Sequence, residues 1–218
     1  MTTPSVEATP FFYPGVSASG IFYRIFLGLR KKSVIFAGFV KVIKNCLIKM
    51  VPTQGKKKMI RLLFVSLGNI CRSPAAEGIM KSIVEKNDLQ DVIEVDSAGT
   101  SGWHEGDLPD ERMRAHGEKR KYDFCSRSRK FTKSDFDDFD YIIVMDENNY
   151  NRVKSMSANP EQTGKIHLMT DFALQYGYYN HIPDPYYGGS SDFELVLDLL
   201  EDACEGLLQT IKKDHSLI

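Results

Sequence analysis

Arg61-Leu62-Leu63-Phe64-Val65-Ser66-Leu67-Gly68-Asn69-Ile70-Cys71-Arg72-Ser73-Pro74 sets a short apolar run, a glycine-containing turn and a helix start in direct succession. Arg61–Val65 reads as a buried strand. Ser73 and Pro74 fit a helix N-cap followed by proline at the first helical position. Ala76, Ile79, Met80, Ile83 and Val84 then recur at helical spacing. Strand, tight turn and helix N-terminus together form a ready anion site, because the first N–H groups of a helix lack partners and its end is partly positive. Gly68 lets a ligand approach the backbone closely, and Arg72 offers a planar fork for two phosphate oxygens. The blander alternative is a plain strand-to-helix turn with Arg72 as a surface charge. A Walker loop is excluded, since no Gly-Lys-Ser/Thr follows.

The same alternation continues to the C-terminus. Val92–Val95 is a second strand candidate, and Asp110–His116 a helix closed by Gly117. Tyr141–Met145 (YIIVM) reads as a buried strand, Glu147–Met156 as a helix and Lys165–Leu168 as a weak strand. Ser191–Ile211 is the clearest helix. Ser191 and Glu194 suit a capping box, and Phe193, Val196, Leu197, Leu200, Cys204, Leu207, Leu208 and Ile211 share one face. Strands alternating with helices predict an α/β fold with a parallel sheet covered on both sides.

The chain has 218 residues with 28 Lys+Arg against 29 Asp+Glu, a net charge of −1 that hides an asymmetry. Residues 1–58 carry ten Lys/Arg and one acid, Glu7, a net +9; residues 59–218 carry the other 18 and 28, a net −10. The division predicts a basic N-terminal extension, 1–58, and a folded domain, 59–218. An acidic body argues against nucleic acid as a partner, because phosphate backbones need a basic footprint. In the extension, Arg24 and Lys41 break the apolar stretches 21–29 and 34–42, short of the roughly 18 apolar residues of a spanning helix. Three readings of it stay open: a membrane-surface or targeting segment making peripheral membrane contact, a disordered tail, or an upstream stretch with the start at Met50 or Met59. Cys46, Cys71, Cys125 and Cys204 are too few for a disulfide framework. They favour a reducing, cytoplasmic setting, unless the extension redirects the chain to an organelle or membrane. His104, His116, His167, His181 and His215 show no metal-ligand spacing, so neither metal nor cofactor is expected.

VSLGNICRSPAAEGIM (65–80) resembles the signature of the low-molecular-weight protein tyrosine phosphatases, which carry Cys-x5-Arg-Ser here. Asp96–Thr100 (DSAGT), Phe139–Asn149 (FDYIIVMDENN) and Asp184–Gly188 (DPYYG) are similar to further family segments, in order, across residues 59–218. The resemblance implies a three-layer fold around a four-stranded parallel sheet. It implies metal-free hydrolysis of phosphotyrosine proteins or small aryl phosphates. It assigns phosphate binding to the loop Leu67, Gly68, Asn69, Ile70, Cys71, Arg72 and Ser73, with Asn69 holding the loop in shape. Asp184 becomes the acid that protonates the leaving phenolate. Tyr186 and Tyr187 wall the pocket, and Trp103 forms its rim. Ser97 and Ser126 support the loop from behind, Ser126 standing where many relatives have a histidine.

The other departure falls on the nucleophile. The nucleophilic cysteine of the family is Ser66 here, and Cys71, which guards that cysteine oxidatively in relatives, has no partner for a disulfide. A hydroxyl is far harder to ionise than a thiol and needs an adjacent base, which the motif does not supply. The expected chain binds phosphate esters and turns them over very slowly or not at all. Engineered inactivation, which traps substrate, and a natural phosphotyrosine-binding pseudophosphatase both fit. Arsenate reduction needs the loop thiol and further cysteines relayed in sequence, and Cys125 and Cys204 lack the close pairing for it. Phosphoarginine hydrolysis is another activity of the scaffold, although the paired tyrosines favour aryl esters.

Overall fold

A computed structural model describes residues 59–217. The N-terminal extension and the three readings of it lie outside the described residues. In chain order the elements are β1 (Ile60–Ser66), α1 (Arg72–Lys86), β2 (Ile93–Gly99), α2 (Glu111–Lys119), α3 (Asp135–Asp138), β3 (Tyr141–Val144), α4 (Glu147–Lys154), α5 (Pro160–Gly164), β4 (Ile166–Leu168), a 3-10 turn (Met169–Phe172) and α6 (Ser190–Asp214). The four strands form one sheet in the order β2-β1-β3-β4, and every pairing is parallel.

A parallel sheet buries both faces, and β1 divides its side chains between them. Leu62 and Phe64 join Ile79, Met80, Phe193, Leu197 and Leu200 of α1 and α6. Leu63 and Val65 point the other way, into a cluster with Phe131, Phe136, Ile142, Val144 and Val153. All four β1 residues are fully buried, each side chain contributing about 1.5–3 kcal/mol of transfer free energy. Central β1 then aims its C-terminal loop at the end of the sheet where the chain also leaves β2 and β3. Ligands of open parallel sheets bind at such ends.

Several boundaries differ from the sequence reading, some for local capping reasons and some for tertiary ones. β2 runs on to Gly99, since Asp96, Ser97, Ala98 and Gly99 pair with Leu63, Phe64, Val65 and Ser66. Gly117 does not close α2. The ring of Phe124 lies over both Gly117 and Gly78, where a methyl group would stand, so that glycine makes room for packing. Ser73 is not an N-cap. The helix begins at Arg72 behind Cys71, without a side-chain cap, and the Ser73 hydroxyl turns to the site. α4 ends at Lys154, and it is capped by Asp146. The Ser191–Glu194 capping box does not form. α6 starts one residue earlier behind Gly189, whose N–H donates to Asp192 Oδ2 at 2.7 Å. Glu194 instead binds His116 and Arg120 of the α2 region. The His116 hydrogen bond and the Arg120 cation hold the Glu194 carboxyl below its ordinary range.

Gly206 lies on the buried face of α6, where a methyl group would collide with the backbone carbonyl of Phe172. Gly206→Ala gains about 1 kcal/mol of helix propensity. A backbone carbonyl cannot rotate aside as a side chain can, so overpacking, worth about 1–3 kcal/mol or more, wins. Urea unfolding is expected to show net destabilisation of about 2 kcal/mol; a more stable variant would contradict this packing.

Candidate active site

The turn after β1 bends back over the first turn of α1. Ser66, Leu67, Gly68, Ile70, Cys71 and Arg72 line a cleft of about 280 Å³, walled by Trp103, His104, Asp184, Tyr186 and Tyr187. Among the described residues, the backbone N–H groups of Gly68, Ile70, Cys71 and Arg72 have no protein acceptor. Orphan donors around a helix N-terminus are the usual makings of an oxyanion site.

Asn69 shapes this turn. Its φ of 56° lies in the left-handed region, which asparagine tolerates better than most residues. Its side chain is fully engaged: Nδ2 donates to Ser73 Oγ (3.0 Å) and Ser97 Oγ (2.8 Å), and Oδ1 accepts from the Arg129 N–H (2.9 Å). Ser97 donates in turn to Glu77 Oε2 at 2.6 Å. Glu77 is a buried carboxylate, compensated by an ion pair to Lys81 one helical turn on.

Ser66 ends β1 at the cleft floor. Its Oγ lies 2.7 Å from Ser73 Oγ and accepts from the Asn69 N–H at 3.3 Å. Ser73 Oγ also reaches the Ala98 carbonyl at 3.3 Å. Among the described residues no carboxylate or imidazole hydrogen-bonds Ser66. Glu77 lies along the chain Ser66–Ser73–Asn69–Ser97–Glu77, but its middle member is an amide nitrogen with both hydrogens donated. An amide in that state cannot relay a proton. Cys71 lines the cleft as a neutral thiol; burial, with Asp110 and Asp184 nearby, pushes it up to about 12. Cys71, Cys125 and Cys204 are all free.

Arg72 is pinned, its side chain only 4% exposed. Nη1 donates to Asp146 Oδ2 (2.7 Å) and the Ile182 carbonyl (3.0 Å), and Nη2 to Asp184 Oδ2 (2.8 Å). Asp146 follows β3 and also caps α4 through the Asn149 N–H at 2.7 Å. Asp184 arrives on the segment that leads into α6, and its Oδ1 accepts from the Tyr186 N–H at 3.2 Å. Trp103 is 80% exposed and Tyr187 97% exposed, so these rings stand in solvent at the cleft mouth and not in the core.

The structure thus brings together every residue that the sequence singled out, with one exception. Ser126 makes no hydrogen bond to the loop. The contact comes from Ser128, whose Oγ donates to the Gly68 carbonyl at 3.2 Å. Backbone bonds from Gly99 N–H to the Arg129 carbonyl and from Ser128 N–H to the Asp107 carbonyl set that register. Asp146, Glu77, Ser128 and Arg129 were missed. Only Glu77 and Asp146 carried a signal, as acids inside otherwise apolar or family-like stretches.

Comparison with known proteins follows this geometry. The profile of the family "Low molecular weight phosphotyrosine protein phosphatase" matches residues 61–217. The low molecular weight protein-tyrosine-phosphatase YfkJ of Bacillus subtilis is 41% identical over 160 residues, covering 73% of this chain and 100% of its own. The crystal structure of a protein tyrosine phosphatase from Entamoeba histolytica superposes with a TM-score of 0.68 at 45% identity, covering 73% of this chain and 99% of that one. A Drosophila arginine phosphatase does so with a TM-score of 0.65 at 36% identity, covering 70% and 98%. A profile matching most of the chain, and relatives covered almost end to end, show that this chain belongs to the low molecular weight phosphotyrosine protein phosphatase family.

Proposed function

We propose that this chain binds phosphotyrosine and aryl phosphate monoesters in the cleft over Ser66, and in its Ser66 form turns them over very slowly or not at all. The observation that carries the reading is the Ser66 hydroxyl, which has no base among its partners in an otherwise complete oxyanion pocket. The free loop N–H groups and Arg72 receive the phosphate oxygens. Asp184 stands at the cleft edge to protonate a leaving phenolate. Trp103, Tyr186 and Tyr187 offer aromatic faces to an aryl group. Asn69, Ser73 and Ser97 hold the loop in shape. Metal and cofactor play no part in this scheme. The partners are phosphotyrosine-bearing proteins or small aryl phosphates, met in the cytoplasm, with nucleic acid disfavoured by the acidic body.

A second reading is phosphoarginine recognition, favoured by the likeness to the Drosophila protein. The two are separated by calorimetric titration of the chain with O-phosphotyrosine, phosphoserine and phosphoarginine, the same samples being assayed for released phosphate. Aromatic contact is worth roughly 0.5–1.5 kcal/mol, so phosphotyrosine is expected to bind up to about tenfold tighter than phosphoserine, without release. Tighter binding of phosphoarginine would replace the aryl reading, and rapid release would refute the impairment.

A further inference from the structure

Arg112 sits in the first turn of α2, outside the phosphate loop and the acid segment, yet it joins them. Asp110, the N-cap of α2, donates its N–H to the carbonyl of Ile70 in the phosphate loop at 2.7 Å. Its carboxylate accepts from the Arg112 N–H (2.9 Å), Nε (3.0 Å) and Nη2 (2.8 Å). The other Nη2 hydrogen goes to the Tyr186 carbonyl at 3.0 Å. The guanidinium lies 4.8 Å from the ring centroid of Phe193, a core residue, and 5.5 Å from that of Tyr186. Tyr186 is therefore held through its carbonyl by Arg112, while its own N–H holds Asp184 Oδ1.

We infer that Arg112 is a positioning residue, which fixes Tyr186 against the core so that the carboxyl of Asp184 keeps its place when substrate arrives. The inference rests on the function proposed above. Asp184 has two tethers, Arg72 on Oδ2 and the Tyr186 N–H on Oδ1. A phosphate that occupies Arg72 Nη2 removes the first. The second remains, and among the described residues Arg112 is the side chain that hydrogen-bonds the Tyr186 backbone, tying it to α2 and to the phosphate loop. The role is separable from folding. α2 and α6 are also joined through His116, Arg120 and Glu194, and the Arg112 side chain is 47% exposed. Lysine could reach the Tyr186 carbonyl but could not span both partners in one plane.

The test uses the full chain carrying Ser66→Cys, alone and combined with Arg112→Met, Arg112→Lys or Asp110→Asn. The last keeps the helix cap while weakening the grip on Arg112. Turnover is read on p-nitrophenyl phosphate, a good leaving group, and phenyl phosphate, a poor one that depends more on the proton donor. Arg112→Met is expected to lower kcat on phenyl phosphate roughly 10²-fold. The loss on p-nitrophenyl phosphate should be at least tenfold smaller (about) and KM nearly unchanged. Asp110→Asn should show the same bias more weakly, and Arg112→Lys should not rescue it. Equal losses on both esters, or none, overturn the positioning role. If Ser66→Cys alone hydrolyses neither ester, the proposed function fails first and this inference with it.

Discussion

Ser66→Cys raises turnover of an aryl phosphate at mildly acid pH by about 10⁴-fold or more, the order lost when a nucleophile is removed from an otherwise intact site. The position is prepared for a thiolate. It faces the Ser73 hydroxyl and the Asn69 N–H beside a helix N-terminus and Arg72, and such surroundings lower a thiol's pKa. The same contacts do little for serine, whose proton has no acceptor able to carry it away. Cys71 is no substitute, because burial keeps it protonated up to about 12. Steady-state hydrolysis of the two forms side by side decides the matter. No rise in the cysteine form would sink the proposed chemistry. Comparable rates in both would mean that Ser66 finds a base outside its present partners.

Arg72→Lys is expected to weaken binding of inorganic phosphate to the Ser66 chain by about 10²-fold, measured by calorimetry. A guanidinium reaches Asp146, Ile182 and Asp184 from one plane and can still turn an edge to the ligand. An ammonium is a single point and cannot serve these directions together. The substitution also leaves Asp146 without its planar partner, at about 1.5–3 kcal/mol of stability. Urea unfolding of the same variant, with Asp146→Asn as the matching neutral change, separates that loss from the loss of affinity. Unchanged phosphate affinity in a folded Arg72→Lys chain would remove Arg72 from the binding site.

The elements that were legible in the sequence are those whose burial is set locally. β1 and β3 are apolar runs, α6 has an unbroken apolar face, and the turn between Val65 and Ser73 carries its chemistry in adjacent residues. What stayed hidden depends on distant partners. Asp96 and Ser97 look like loop residues until they pair with β1. Glu77 is buried only because Ser97, 20 positions on, and Lys81 receive it. Arg72 and Asp146 meet across 74 positions. Ser126 and Ser128 are chemically alike, and only the register set by Gly99 and Asp107 selects the second. Gly117 carries a terminator's residue type, but a ring 7 positions away uses it as space. The Arg112 link was likewise invisible, since neither Asp110 nor Tyr186 announces the other.

The double ion pair of Arg72 changes what ligand entry means. One guanidinium is shared between two carboxyl groups from separate segments, Asp146 after β3 and Asp184 ahead of α6. Within the cleft only the Asp184 edge of that guanidinium is taken, since Asp146 lies outside the lining. On the proposed reading, a phosphate that takes Nη2 enters by exchange of partners: Asp184 gives up one hydrogen bond and keeps the other, from the Tyr186 N–H. On that reading, the carboxyl group that shares Arg72 with the ligand is the same one that faces the bridging oxygen of the ester.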